Sequence, residues 1–322
     1  MDEQARLLRR AQARRRVRRQ RLLALGGVGM LIPLGLLTML GTDGSGRRQR
    51  SDHRTVSPAR PAELPGGGRQ ILPTHRVVAY YGAPGDPRLG ILGAGPPDQV
   101  ARQLERQAAR YRFAGRPVLP AMELIATVAT SSPGADGLYR ARQPAAVVRS
   151  YLRAARRAGA LLILDLQPGR SDFMTEARVY EPFLREPDVS LALDPEWHLA
   201  PGQVPGQQIG STDAGAINEV SAYLARIVAA ERLPQKLLIV HRFTSDMIQQ
   251  PNRIVLRSGL AITINIDGFG DQANKIAKYR VLSKSAPSTY YGFKLFYQQD
   301  LQLMTPKQVM KLRPSPALIV YQ

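Results

Sequence analysis

The chain has no cysteine, a single tryptophan, four histidines and only 7 Lys beside 38 Arg in its 322 residues. Without cysteine there are no disulfides, thiolate metal sites, thiol nucleophiles or lipid-modified N-terminal cysteine. That lack is silent about compartment, because an exported protein can do without disulfides. Of the histidines, His53 and His75 precede the first strand-like segment. His198 and His241 remain, with no His-x-His and no His-Glu-x-x-His, so a zinc site is not expected. A Gly-x-Ser-x-Gly elbow and a phosphate loop are also missing, which removes two common hydrolase patterns. Hydrophobic residues make up 44% of the chain, an ordinary share for a packed core, and this excludes wholesale disorder.

What is abundant is arginine, and it is unevenly placed. Residues 1–60 carry 14 Arg against four acids, half of the +20 formal net charge in under a fifth of the chain. Arg14–Arg15–Arg16 and Arg18–Arg19 precede Leu22–Thr42, a run with no charged residue. At 1.5 Å per residue this run spans roughly 30 Å, the hydrocarbon thickness of a bilayer. Pro33 and the glycines within it weaken a soluble helix, but membrane helices tolerate both. A basic tract alone fits nucleic acid. Directly before an apolar run it fits a cytoplasmic anchor on anionic headgroups, so no nucleic-acid partner is expected.

The expected organisation is therefore a basic cytoplasmic tail over 1–21 and a plasma-membrane anchor over 22–42, with the rest of the chain outside the cell. Secretion after cleavage of a signal peptide is the alternative. The long basic region, the long apolar stretch and the lack of a small-x-small pair after it favour the uncleaved anchor. Residues 43–74, rich in Gly, Pro, Ser and Arg and without apolar periodicity, are expected to form a flexible linker.

From Arg76 strand-like and helix-like segments alternate. Eight strands are read at RVVAYYG, VLPAMELIATVAT, ALLILDLQPG, VSLALDPEW, KLLIVHRF, AITINIDGFG, TYYGFKLFYQQ and ALIVYQ. Seven helical segments separate them, one a shorter stretch near Met247–Val255. Eight such units over residues 75–322 predict an α/β fold, a (β/α)8 TIM-type barrel of the usual length of roughly 250 residues. A doubly wound sheet alternates similarly. Gly90, Gly93 and Gly95, however, run into Pro96–Pro97 instead of opening a helix, so the dinucleotide fingerprint is missing.

Residues two apart on a strand share a face. In AITINID the isoleucines 262, 264 and 266 suit a helix-covered exterior, leaving Ala261, Thr263, Asn265 and Asp267 inward. The same parity turns Ser190, Ala192, Asp194 and Glu196 inward on the fourth strand. It puts Asp165 and Gln167 with Leu161 and Ile163, and His241 with Leu237 and Ile239. Polar residues thus arrive at strand C-termini, where barrel enzymes place their chemistry. The mouth is expected to carry Glu123, Asp165, Asp194, Glu196, His241 and Asp267, with Lys294 and Tyr297 from the seventh strand. Such rim acids either cap the following helix and pair with Arg or Lys, or serve catalysis with raised pKa values. Trp197 and the tyrosines Tyr80, Tyr81 and Tyr297 are divided between sugar platform and packing.

YYGAPGDPRLGILG, ALLILDLQPGRSDF, LALDPEWHL, IVHRFTSDMI and NIDGFGD resemble a group of exported actinobacterial proteins, over nearly all of 76–322. The resemblance implies a glycoside-hydrolase-like barrel in the cell envelope and supplies no activity of its own. The chain is more distantly similar to family 25 lysozymes, barrels whose fourth strand ends in Asp-x-Glu. Asp194-Pro195-Glu196 matches that pattern, with Glu196 in the position of the acid and Asp194 in that of its carboxylate partner. The departure is on the first strand, where Tyr80–Tyr81–Gly82 stands instead of the family's Asp. The Asp-x-x-Asp-x-Asp-x-Glu of chitinase-like barrels is absent.

The function expected is hydrolysis of a glycosidic bond in a cell-wall or other extracellular polysaccharide. Glu196 is read as acid, Asp194 or Asp165 as its partner and Asp267 as reserve. Glu123, Tyr80, Trp197, His241, Lys294 and Tyr297 are read as substrate-binding. The alternative is a non-catalytic envelope protein that binds glycan, peptide or a protein partner at the same mouth. Neither reading calls for a cofactor or a metal, although a carboxylate-rich site for Mg²⁺ or Ca²⁺ stays open.

Overall fold

Runs of Val, Ile, Leu and Ala between Pro/Gly-rich turns make strands buried on both faces, and eight of them lie parallel. They are β1 (Arg76–Gly82), β2 (Val118–Ala129), β3 (Leu161–Leu166), β4 (Val189–Leu193), β5 (Lys236–Arg242), β6 (Leu260–Ile266), β7 (Tyr290–Leu295) and β8 (Leu318–Tyr321). The computed structural model describes residues 61–322 apart from Ser285, Pro287 and Ser288. β1 pairs with β2 on one side, from Arg76↔Val118 to Gly82↔Leu124, and with β8 on the other, from Val77↔Leu318 to Tyr80↔Tyr321. The sheet is therefore closed, and the architecture is the eight-stranded parallel α/β barrel expected of the alternation. The tail at 1–21 and the anchor at 22–42 lie outside the described residues. Among those described, no helix is long and apolar enough to cross a membrane.

The helices are α1 (Pro97–Ala109), α2 (Ala145–Arg157), α3 (Phe173–Val179), α4 (Glu181–Leu184), α5 (Ala214–Ala230), α6 (Gln272–Leu282) and α7 (Pro306–Val309). Several start on side-chain caps, which satisfy otherwise orphaned N–H groups. The carboxylates of Asp172, Asp213 and Asp271 accept from the backbone N–H groups of Thr175, Ala216 and Asn274. Thr305 and Gln308 form a capping box. Rim acids thus do cap helices here, but they are different residues from those read as catalytic.

The helical stretch expected near Met247–Val255 is absent. Ile248–Gln249 instead forms a two-residue parallel bridge with Thr212–Asp213, and Pro251–Arg253 makes a single 3₁₀ turn. Gln250 sits in the left-handed region at φ 50°, and Pro251 has no N–H to continue a ladder. Together they stop a helix before it starts.

Parity divides the core into two layers. Even-numbered residues such as Val78, Leu162, Leu164, Leu238, Val240, Ile262 and Ile264 pack outward under the helices. Odd-numbered Val77, Ala79, Leu119, Ala121, Leu161, Ile163, Leu237, Ile239 and Ala261 fill the barrel. A register shift in β2 between Ile125 and Thr127 inserts one residue and reverses the facing of the side chains beyond it. Thr127 thereby reaches Glu176 outside the barrel at 3.2 Å, while Val128 turns toward the mouth.

Residues 61–74, assigned to the flexible linker on composition, are instead part of the barrel. Leu64, Ile71 and Leu72 are at most 4% exposed and join the interior cluster. Gln235, just before β5, accepts from the backbone N–H groups of Ile71 and Leu72 at 2.8 Å each. The Arg69 guanidinium donates to the carbonyls of Arg232 and Leu233. The segment plugs the end of the barrel at which the strands begin. The reason is local: three large apolar side chains meet the uncovered interior layer, and Gln235 satisfies the backbone they bring with them.

Beside this plug Lys236 is fully buried, its ammonium donating to the carbonyls of Glu186 and Val189 at 2.6 Å each. Burial pulls its pKa down to about 7, against weaker support from Asp188 and Glu186. Between about pH 7 and the ordinary lysine value, the unfolded chain binds a proton here that the folded chain does not. Stability from this residue therefore rises with pH across that window and is lowest below it. Lys236→Met is expected to flatten the difference between urea-unfolding free energies at pH 7 and pH 10 by a few kcal/mol. Parallel pH profiles for the two proteins would contradict this.

Candidate functional site

Six strands place a continuous polar chain inside the upper barrel. His241 on β5 contacts Glu123 of β2 through Nε2 at 2.9 Å and Asp267, just past β6, through Nδ1 at 2.9 Å. Asp267 also accepts from the amide of Asn265 at 2.7 Å and from the ammonium of Lys294 on β7 at 3.2 Å. Asp165 of β3 accepts from the Tyr81 hydroxyl at 3.0 Å, and the Gln167 amide donates to that hydroxyl at the same distance. The Lys294 ammonium stands 3.6 Å from the centre of the Tyr81 ring, a cation–π contact that keeps the aromatic face toward positive charge.

Burial sets the charge states. It disfavours the imidazolium of His241, but Asp267 and Glu123 outweigh it against the opposing charge of Lys294, and the pKa ends well above the ordinary value. It also disfavours ionised Asp267, yet Lys294 and His241 hold that carboxyl below its usual range. For Asp165 burial wins, helped by Asp194 and Glu123 and opposed by His241, so its carboxyl is pushed well up. Burial, with Asp165 adding to it, likewise keeps Tyr81 a neutral phenol. Two carboxyls in one polar chain are thus driven to opposite protonation states, a pattern typical of sites that manage protons.

Above this chain opens a cleft with about 870 Å³ of empty volume, part of it open to solvent. Tyr81, Gln167, Asp194, Asp267 and Lys294 form its floor. Glu196, Trp197, Phe269, Phe296, Arg88 and Gln322 are among its walls. Asp194 is nearly buried at the end of β4, within 3.5 Å of the Gln167 amide. Glu196 and Trp197 follow on a 3₁₀ turn and are half-buried. The turn is fixed by Pro195, and the carbonyl of Asp194 accepts from the N–H of Trp197, so both side chains are presented at the rim.

Of the residues read from sequence, Asp194, Glu196, Trp197, Asp267 and Lys294 share this cleft. Glu123, Asp165 and His241 belong to the polar chain beneath it and do not line it. Asp165 therefore sits behind Tyr81. Tyr80 and Tyr297 are elsewhere. Tyr80 has the parity of Val78 and packs outside the barrel, its hydroxyl 3.4 Å from that of Tyr297, which stacks on Tyr321. Tyr297 borders a smaller neighbouring hollow with Gln298, Gln299 and Gln322. Tyr81, which shares the inward face of Val77 and Ala79, takes the place expected for Tyr80. Strand parity carried that signal. Phe269 and Phe296 lie just past β6 and β7, where no periodicity announces them.

The chain of contacts depends on a glycine. A Cβ on Gly292 of β7 would overlap the Asn265 side-chain oxygen and press on Leu318, and a packed interior absorbs such overlap poorly. Gly292→Ala is expected to destabilise the fold by about 1–3 kcal/mol and to displace Asn265 from Asp267. Thermal unfolding with no loss of stability would show that Asn265 has room to move.

A scan against protein-family models gives no match to this chain, and a search of curated proteins gives none either.

Proposed function

We propose that the chain is a membrane-anchored, extracytoplasmic glycoside-hydrolase-like protein that cleaves a cell-wall or other extracellular polysaccharide by carboxylate chemistry. The observation that supports this most is the composition of the cleft: Asp194, Glu196 and Asp267 face the same open space as Trp197, Phe269 and Phe296. A sugar has polar edges and apolar ring faces, so acids and aromatic rings together suit it. The reaction needs one protonated carboxyl to give its proton to the leaving oxygen. It also needs one carboxylate to activate water, attack the anomeric carbon or stabilise the oxocarbenium charge.

Glu196 at the half-buried rim serves as the acid, and Asp194 below it as the carboxylate partner. Asp267 contributes a fixed negative charge, since Lys294 and His241 hold it ionised. Asp165 acts indirectly, by positioning the Tyr81 hydroxyl at the floor. The Asp-x-Glu likeness to family 25 lysozymes agrees with these roles, and the basic and apolar segments of residues 1–42 support the envelope location.

The experiment is to incubate the purified full chain with cell-wall glycan and a panel of polysaccharides and to assay new reducing ends. Release from one substrate class is expected. Binding without release would replace this reading with that of a non-catalytic glycan-binding envelope protein. Neither binding nor release would remove both.

A further inference from the structure

Beneath the cleft, Glu123, Asp165 and His241 converge from β2, β3 and β5, and one donor atom from each lies within 4.8 Å of the others. We propose that this trio is a binding site for a single first-row divalent cation of the Zn²⁺ or Mn²⁺ type, which ties three barrel strands together. The inference is independent of the hydrolytic reading.

Two of the spacings bracket those of a coordination shell. Metal–ligand bonds of about 2.1 Å place adjacent ligands about 3.0–3.4 Å apart. Here His241 Nε2 lies 2.9 Å from Glu123 Oε1 and 3.6 Å from Asp165 Oδ1. A proton can bridge the first contact. It has no need of a second carboxylate aimed at the same nitrogen, and a metal ion does.

The second observation is a deficit. Glu123 Oε2 and Asp165 Oδ1 are buried without a hydrogen-bond partner, in side chains with no solvent exposure. Burying carboxyl oxygens unpaired is costly, and a cation among them removes that cost.

The outer partners are those of a metal site as well. Asp267 engages His241 Nδ1, which turns Nε2 toward the trio, and the Tyr81 hydroxyl holds Asp165 Oδ2, which turns Oδ1 the same way. Ligands oriented from behind in this manner are the rule. One imidazole with two carboxylates and no thiolate favours first-row ions over Ca²⁺ or Mg²⁺. None of the three ligands lines the cleft, so the ion's role is structural.

The test uses the full chain in detergent, stripped with a chelator and titrated separately with ZnCl₂ and MnCl₂. Binding of one equivalent and a rise in Tm are expected. Tyr81→Phe, which removes the outer partner of Asp165 and an acceptor of the Gln167 amide, should weaken affinity about 10–100-fold, and Glu123→Gln should weaken it further. A His53→Gln/His75→Gln variant should bind like wild type. If Glu123→Gln does not fold, Co²⁺ substitution in wild type decides instead: visible d–d bands of a four- or five-coordinate N/O site support the proposal. No stoichiometric binding, or binding that survives Tyr81→Phe and Glu123→Gln unchanged, overturns it.

Discussion

A chain that begins at Thr74 is expected not to fold cooperatively, whereas one that begins at Pro61 should unfold with the Tm of the full chain. The difference is the plug. Leu64, Ile71 and Leu72 are all but fully buried against the interior layer, and each such side chain contributes about 1.5–3 kcal/mol. Together they supply about 4.5–9 kcal/mol, against a typical total of about 5–15. Their removal also strips Gln235 of two backbone donors and leaves the carbonyls of Arg232 and Leu233 without Arg69. Circular-dichroism melts of the two fragments make the comparison directly. Should the Thr74 fragment melt within about 2 °C of the longer one, the plug contributes less than about 1 kcal/mol and the interior layer is closed by other means.

Glu196→Gln is expected to lower kcat on the responsive polysaccharide by about 10²–10⁴-fold, the range for loss of a general acid or base, with little change in Tm. Gln fills the same volume on a half-buried turn and keeps a hydrogen-bonding side chain there, so the fold should respond little. The assignment of roles is tested by changing the leaving group. An aryl glycoside with an acidic phenol departs without protonation, so Glu196→Gln should lose much less on it than on the polymer. Asp194→Asn should lose equally on both, because the oxocarbenium charge develops in either case. Equal losses for the two variants on both substrates would exchange or merge the roles. Full activity of Glu196→Gln would falsify the acid assignment outright.

How much of the fold and the cleft is legible in the letters depends on where each residue sits. On the strands, period-two alternation carries Asp165, Asp194, His241 and Asp267 to the interior, and the structure has them there. The same rule applied to RVVAYYG points Tyr81 inward and Tyr80 outward, so placing Tyr80 at the mouth runs against the parity of its own strand. Off the strands the alternation stops. Phe269 and Phe296 reach the cleft because the backbone turns after β6 and β7, and no spacing rule encodes that turn.

The plug is hidden differently. LPGGGRQILP reads as a spacer because its apolar residues follow no period, yet they are placed by three-dimensional fit to the open end of a barrel. The helix expected at Met247–Val255 fails on chemistry that is present in the letters, since Pro251 interrupts it. Its left-handed neighbour Gln250 is recognisable only from the backbone. Gly90 belongs to the glycines that suggest, and then fail, a cofactor loop. Its actual constraint is contact: at φ 136° a Cβ there would strike the Tyr81 carbonyl.

The plug also fixes the end of the barrel at which the chain arrives. The chain enters the barrel at the end where the strands begin, so the cleft opens at the opposite pole. With the anchor proposed for residues 22–42, the 18 residues at 43–60 reach at most about 65 Å when fully extended. On that reading the cleft lies at the pole opposite the tether, and the polysaccharide proposed as substrate would be met there, within the tether's reach of the bilayer.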